Sequence, residues 1–184
     1  MPTDFPGFSG PSASTEAPLE MLAACHIRIE RQCSTLKRLA EYLPDHGSDM
    51  QARQAARSIM RYFDTSAIQH HADEEEDLFP SLIESMAGSD AVCIHEIIGG
   101  LSADHRELES KWRALRDVLA RIERGEPAAL ADEDVDAFTG LYQRHIQREE
   151  DELLPMAARL LGDADIRRIG VAMRRRRGIG DDML

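Results

Sequence analysis

Apolar residues recur along this chain at alternating spacings of three and four residues, which is the period of one face of an α-helix. The pattern extends over long stretches and is not interrupted by the alternation of apolar and polar residues that is typical of a strand. It predicts four long helices and a short terminal helix, which run from Leu19 to Leu43, from about Asp49 to Pro80, from Ile94 to Ile122, from about Asp132 to Pro155 and from Ala164 to Arg175.

Residues that disfavour helix interiors predict where these helices end or bend. The first helix is expected to end at Pro44, the second to kink or end at Pro80, and Gly88 to close that segment. Gly99 and Gly100 lower the local helix propensity of the third helix, which allows a bend or a loosened turn there. Similarly, Pro155 near the end of the fourth helix mirrors Pro80 in the second.

Four long helices with short connections predict an all-α fold, an antiparallel up-down four-helix bundle with a short C-terminal helix. The first residues are rich in proline, glycine and serine, which indicates an irregular arm. The expected organisation is therefore an arm at residues 1–15, the bundle at 16–162, and a short helix with a basic tail at 163–184.

Composition and charge exclude several classes of function. The 184 residues carry a net charge of −12, which disfavours a nucleic-acid partner. The exception is the basic run Arg174–Arg177, which is typical of the last turn of a helix, where cations complement the helix dipole. Because no apolar run approaches the ~20 residues of a membrane span and no secretory signal is visible, we expect no membrane association and a cytoplasmic location.

One motif occurs twice in the chain. Residues 70–80 read HHADEEEDLFP and residues 145–155 read HIQREEDELLP, so that each segment has a histidine, a glutamate four residues later and a proline ten residues later. Similarly, His26 and His105 each interrupt an apolar stripe, and both are followed by apolar residues three and seven positions later and by leucine at ten. The chain therefore resembles two helical hairpins built on one pattern.

This repeated pattern indicates a metal site inside the bundle. A spacing of four places the histidine and the glutamate of each motif on the same helix face. Imidazole suits iron, zinc or copper, and a carboxylate can bridge two ions. Burying such a set without a metal would cost several kcal/mol in unpaired polar groups. The predicted ligands are His26, His70, Glu74, His105, His145 and Glu149.

As a set, these motifs resemble the hemerythrin-like, HHE cation-binding proteins, over roughly residues 16–162. The resemblance implies a four-helix bundle that holds a non-haem di-iron centre, two iron ions joined by an oxo or hydroxo bridge. It also implies that the small ligands are oxygen, nitric oxide or peroxide. The implied roles are oxygen carriage, sensing, iron handling, and repair of iron centres under oxidative or nitrosative stress.

The register of the second helix requires a choice, because His71–Glu75 has the same spacing as His70–Glu74. Both His70 and His145 lie ten residues before a proline and seven residues after a phenylalanine, whereas His71 lies seven residues after Asp64. We therefore predict that His70 and Glu74 are the ligands and that His71 lies in an outer shell or on the surface.

The chain departs from the oxygen-carrying hemerythrins at Leu101, where the resemblance would place a second histidine one turn before His105. His95 is too far along the helix to replace it, and we expect Glu109, one turn after His105, to be exposed. Four histidines and two bridging glutamates supply about eight of the roughly twelve bonds that two octahedral ions need. The bridge supplies two more, so open positions should favour chemistry or sensing over reversible oxygen carriage.

The leading hypothesis is a di-iron protein that binds or responds to oxygen, nitric oxide or peroxide. Two other hypotheses fit the same residues: a metal-dependent oxidoreductase or peroxidase-like enzyme, and a structural bundle that holds zinc or manganese. Ligand identity alone does not choose among them, because the same ligands serve different chemistries. No protein partner is indicated by the sequence.

Overall fold

The computed structural model describes residues 17–85 and 91–179. These residues form five helices and no strand, so the all-α prediction is confirmed for them. The helices are α1 (Pro18–His46), α2 (Met50–Glu84), α3 (Ala91–Glu123), α4 (Asp132–Leu160) and α5 (Asp163–Arg176). The predicted N-terminal arm and Gly88 lie outside the described residues.

The four long helices form a ring in which α1 and α3 each pack against both α2 and α4. Two apolar clusters fill the space between them. One contains Ile29 and Leu108, and the other contains Leu22 and Leu101. His26 and His105 lie between these pairs along their own helices, so both histidines occupy a polar layer between two apolar clusters.

Neither proline of the repeated motif ends its helix, although the sequence predicted an end or a kink at Pro80. Instead, α2 contains a π-helical segment at Asp73–Leu78 and continues as an α-helix over Phe79–Glu84. α4 contains the equivalent segment at Glu149–Leu153 before Leu154–Leu160. A proline lacks the N–H that would close the preceding α-turn, and the wider π-turn accommodates this loss without ending the helix.

The glycine and proline predictions elsewhere were partly wrong. α1 ends at His46 rather than Pro44, and Gly47, with a φ of 61°, donates its N–H to the carbonyl of Leu43. The N–H missing at Pro44 costs only one bond in the last turn. α3 runs through Gly99 and Gly100, where a Cβ on Gly100 would lie 2.2 Å from Nη1 of Arg148. Gly100 therefore gives room to an arginine from α4.

The basic run at the end of α5 forms ion pairs with the acidic segment of α2. Arg176 and Arg177 both bind the carboxylate of Asp73, which is fully buried, and Arg176 also contacts Glu76 at 2.7 Å and Asp77 at 2.8 Å. The sequence interpretation, a cationic last turn that complements the dipole, missed these contacts. They fasten α5 to the segment that carries Glu74.

In the described residues, no helix combines the length and the apolar character that a membrane span requires.

The Asp73 ion pairs allow a stability test. Replacing both Arg176 and Arg177 by alanine should lower the free energy of unfolding by about 3 kcal/mol or more, because it leaves a buried carboxylate uncompensated. Arg113→Ala serves as the matched control, since Arg113 is 70% exposed and pairs only with the exposed Glu109 along the same helix. Urea denaturation of the variants in the same metal state measures the difference. Equal losses in both variants would contradict the assignment.

Candidate metal centre

The six predicted ligands are brought together in the centre of the bundle. All six are buried, with exposed fractions of 5% or less. They come from four helices: α1 and α3 supply one histidine each, while α2 and α4 each supply a histidine and a glutamate one turn later. Their ligand atoms form two groups of four that share Glu74 and Glu149; one group adds His26 and His70, and the other adds His105 and His145.

The two glutamates connect the two groups through their separate oxygens. In Glu74, Oε1 lies 3.3 Å from Nε2 of His70, and Oε2 lies 3.3 Å from Nε2 of His105. In Glu149, Oε1 lies 3.1 Å from Nε2 of His145, and Oε2 lies 3.0 Å from Nε2 of His26. Each carboxylate therefore faces one histidine of each group, which is the arrangement of a bridging ligand.

The distances and the lack of hydrogen bonds fit a cation better than a buried polar network. Neighbouring ligands of an octahedral ion with bonds of about 2.1 Å stand about 3 Å apart. Buried atoms without a hydrogen-bond partner include Nε2 of His26 and of His70, Oε2 of Glu74 and both carboxylate oxygens of Glu149. Unpaired buried groups are costly, and a cation between them would satisfy all of them.

Two comparisons relate the chain to known proteins, and one of them names a cation-binding domain. The sequence profile of the hemerythrin HHE cation binding domain matches residues 17–157. The chain belongs to the hemerythrin HHE family. It is also similar to an uncharacterized protein of Haemophilus influenzae (strain ATCC 51907 / DSM 11121 / KW20 / Rd), with 32% identity over 167 residues, which cover 91% of this chain and 94% of the other protein.

The HHE domain places a second carboxylate behind two of the histidines. Nδ1 of His26 lies 3.0 Å from Oε1 of Glu150, and Nδ1 of His105 lies 2.8 Å from Oε1 of Glu75. Each outer glutamate directly follows a candidate bridging glutamate along the chain. A carboxylate on the far nitrogen fixes the ring orientation and increases the basicity of the nitrogen that faces the metal. Sequence reasoning missed both residues, although the doubled glutamate in the two motifs was a visible signal.

Burial and neighbouring carboxylates shift the pKa values of three of the candidate ligand histidines in this HHE domain. Burial lowers the pKa of His70 to about 3 and also lowers the pKa of His105, so these imidazoles are neutral at physiological pH and have lone pairs available for a metal. Burial alone would lower the pKa of His26 as well. The adjacent carboxylates of Glu149 and Glu150 outweigh it and raise that pKa.

The two central glutamates differ in pKa, although they are equivalent in the repeat. Burial and the neighbouring Glu149 raise the pKa of Glu74 well above its usual value. Burial would raise the pKa of Glu149 too, but the adjacent imidazoles of His145 and His26 outweigh it and hold that pKa well below its usual value. A cation between the two carboxylates would offset the repulsion between their charges, which contributes to the difference between their pKa values.

His71 lies beside the centre, not on an open surface. Its ligand atom is close enough to those of His105 and His145 to form a third group. However, the His71 ring is stacked on His105, with centroids 4.0 Å apart and an interplanar angle of 16°. A metal lies in the plane of each imidazole that binds it, and two nearly parallel stacked planes have no nearby point in common. In this orientation His71 packs against His105 and would not share an ion with it.

Other residues considered from the sequence lie away from the centre. His95 and Glu109 are exposed, and Glu109 contacts Arg113 at 2.6 Å, so the prediction that Glu109 is exposed is confirmed. Leu101 is fully buried in an apolar cluster.

Tyr142 was not considered from the sequence. Its hydroxyl lies 3.5 Å from Nε2 of His71, and burial raises the pKa of Tyr142 well above the usual value.

The neighbouring histidines of α2 provide a direct test. His70→Ala should lose metal, because Nε2 of His70 faces the shared carboxylate of Glu74. His71→Ala should keep most of it, because the His71 ring stacks on a ligand without sharing an ion with it. Elemental analysis of both purified variants after equal metal loading measures the difference. Metal loss confined to His71→Ala would reverse the assignment.

Proposed function

We propose that this HHE domain holds a dinuclear centre of two iron ions, with His26, His70, Glu74, His105, His145 and Glu149 as ligands. The observation that carries the proposal is the pair of ligand groups that share both glutamates. Each ion would have two histidines and one oxygen from each bridging carboxylate. The antiparallel up-down arrangement of the four long helices, predicted from the sequence, would bring these ligands inward from all four.

The ligand chemistry favours a redox-active or Lewis-acidic metal over calcium or magnesium. Calcium and magnesium prefer oxygen ligands, whereas this set has four imidazole nitrogens. Two carboxylates give two divalent ions partial charge compensation and leave a net positive charge, which an oxo or hydroxo bridge would reduce. A closed zinc site would use four ligands per ion in a tetrahedron, which this set also supplies, so zinc is the principal alternative occupant.

We further propose that the centre binds or responds to oxygen, nitric oxide or peroxide. An iron pair of this kind, when bound, supplies electrons to or shares them with such small molecules. The protein would supply four histidines, two bridging carboxylates and a polar layer shielded by apolar clusters above and below. With Leu101 in place of a further histidine, coordination positions would stay open for the small ligand.

Stoichiometry tests the dinuclear proposal. Purified protein loaded anaerobically with ferrous iron should carry two ions per chain. Metal should also raise the melting temperature, because the ligands come together only in the folded chain and ligand binding stabilises the state that binds. Elemental analysis and thermal melting with and without a chelator are the measurements. One ion or fewer per chain, or identical melting with and without metal, would exclude the dinuclear centre.

The outer glutamates provide a graded test of the same proposal. Glu75→Gln and Glu150→Gln should each weaken metal affinity by about 10–100-fold, because each removes a carboxylate behind a ligand histidine. Glu107→Gln is the matched control, since Glu107 lies on the same helix as His105 but is 58% exposed and pairs with Lys111. Competition with a chromophoric chelator measures the affinities. Equal affinities in all three variants would show that these carboxylates do not support the ligands.

The small-ligand proposal has a separate readout. The absorbance spectrum of the reduced, iron-loaded protein should change when nitric oxide is added under anaerobic conditions. The spectrum of His70→Ala should stay unchanged under the same conditions, because this variant should lose metal. A zinc-loaded sample of the same protein is the control, because zinc does not undergo this redox chemistry. An unchanged spectrum in the iron-loaded protein would favour the structural alternative.

A further inference from the structure

Two grooves on the surface of the bundle are built from equivalent positions of the internal repeat. The first, the His71 groove, lies between α2 and α3, has a volume of about 240 Å³ and is lined by residues that include Ala67, Ile68, His71 and Trp112. The second, the Ile146 groove, lies between α1 and α4 and is lined by residues that include Cys33, Tyr142, Gln143 and Ile146. The offset in residue number that relates His70 to His145 also relates His71 to Ile146 and Ile68 to Gln143, so these are equivalent positions of the repeat.

The two grooves differ at their inner ends. In the His71 groove the inner residue is a histidine, which stacks at 4.0 Å on the candidate ligand His105 and lies 3.5 Å from the hydroxyl of Tyr142. In the other groove the equivalent residue is Ile146, an apolar side chain that is 3% exposed. The repeat thus provides two similar grooves, of which the first reaches a metal ligand through a polar side chain.

The His71 groove has an apolar wall that is held in place, and charged residues also line it, namely Asp64, Glu109, Arg113 and Arg116. Ile68 is 59% exposed at the mouth, and Phe63 and Trp112 form the wall. Nε1 of Trp112 donates a hydrogen bond to Asp64 at 2.9 Å, and Arg116 pairs with the same carboxylate. An apolar wall favours entry of a neutral small molecule over an ion. The groove volume of about 240 Å³ is several times the roughly 30 Å³ that a water molecule occupies in the liquid, so a diatomic molecule or a peroxide fits in the groove.

We propose that the His71 groove is the route by which the small neutral ligand reaches the His105–His145 half of the centre. The class of ligand is a diatomic gas or a peroxide. His71 forms the polar inner end of the route, whereas the equivalent position of the Ile146 groove carries an apolar side chain; Tyr142 lines both grooves. The two halves of the centre therefore differ in access, although their ligands are equivalent. The inference rests on the proposed small-ligand function and adds where the ligand enters.

A matched pair of variants tests the route. Ile68→Phe narrows the mouth of the His71 groove, and Gln143→Phe makes the equivalent change at the Ile146 groove. Both positions are exposed, so both variants should fold, and circular dichroism checks this. In reduced, iron-loaded protein, the association rate of nitric oxide, measured by stopped-flow absorbance, should fall by roughly threefold or more in Ile68→Phe and stay unchanged in Gln143→Phe.

The metal-free protein gives an independent readout. The chain contains a single tryptophan, and Trp112 lines the His71 groove. Quenching of its fluorescence by dissolved oxygen should be weaker in Ile68→Phe than in Gln143→Phe, because only the first change obstructs the groove next to Trp112.

In the iron-loaded protein, His71→Ala should have the opposite effect to Ile68→Phe. It should speed nitric oxide association, since it opens the inner end of the groove.

The outcomes separate this inference from the function on which it rests. Equal association rates in Ile68→Phe and Gln143→Phe, or a slower rate in Gln143→Phe alone, would overturn the route even if iron and nitric oxide bind. Failure of the parent protein to bind iron or nitric oxide would overturn the proposed function. In that case oxygen quenching of Trp112 still decides whether the groove admits small molecules, and equal quenching in both variants would count against it.

Discussion

The convergence of four histidines and two glutamates in a dry layer of the bundle is the constraint on which the surrounding structure depends. Apolar clusters lie on both sides of this layer, so its ligand atoms are shielded from bulk water. Hydrogen bonds among the six residues do not satisfy them either, since several of their nitrogen and oxygen atoms have no partner. A cation relieves both deficits at once, because it compensates the carboxylates and accepts the imidazole lone pairs.

The helices that carry the glutamates are shaped around this layer. Glu74 and Glu149 each lie in a π-helical segment that precedes a proline, and the next residue in each case supports a histidine on another helix. π-Helical segments of this kind recur at functional sites. Arg176 and Arg177 bind Asp73 in the same segment of α2. These ion pairs attach α5 to the π-helical segment of α2 that carries Glu74, so the packing of α5 affects the position of that segment.

The internal repeat gives the centre two chemically similar halves in unequal surroundings. Both halves have a histidine backed by an outer glutamate and a histidine one turn before a bridging glutamate. The differences lie one layer outside the ligands: His71 is matched by Ile146, and Tyr142 by Ala67. Since the candidate ligands of the two halves are of the same types, any difference in reactivity between two ions held there would arise from this outer layer, through access and hydrogen bonding.

The helical period and the repeated motif determined most of the fold and the composition of the candidate centre, because both depend on spacing within one helix. The helix starts near Asp49 and Asp132, and the place of each of the six predicted residues on a buried helix face, follow from that local pattern. The sequence did not determine the continuation of α2 through Pro80, since a π-turn competes closely with a helix end. The partners of Asp73, the outer contacts of Glu75 and Glu150, and the place of His71 were decided by packing between segments far apart in the chain. Such contacts depend on how the helices are arranged around one another, and no local period encodes that arrangement.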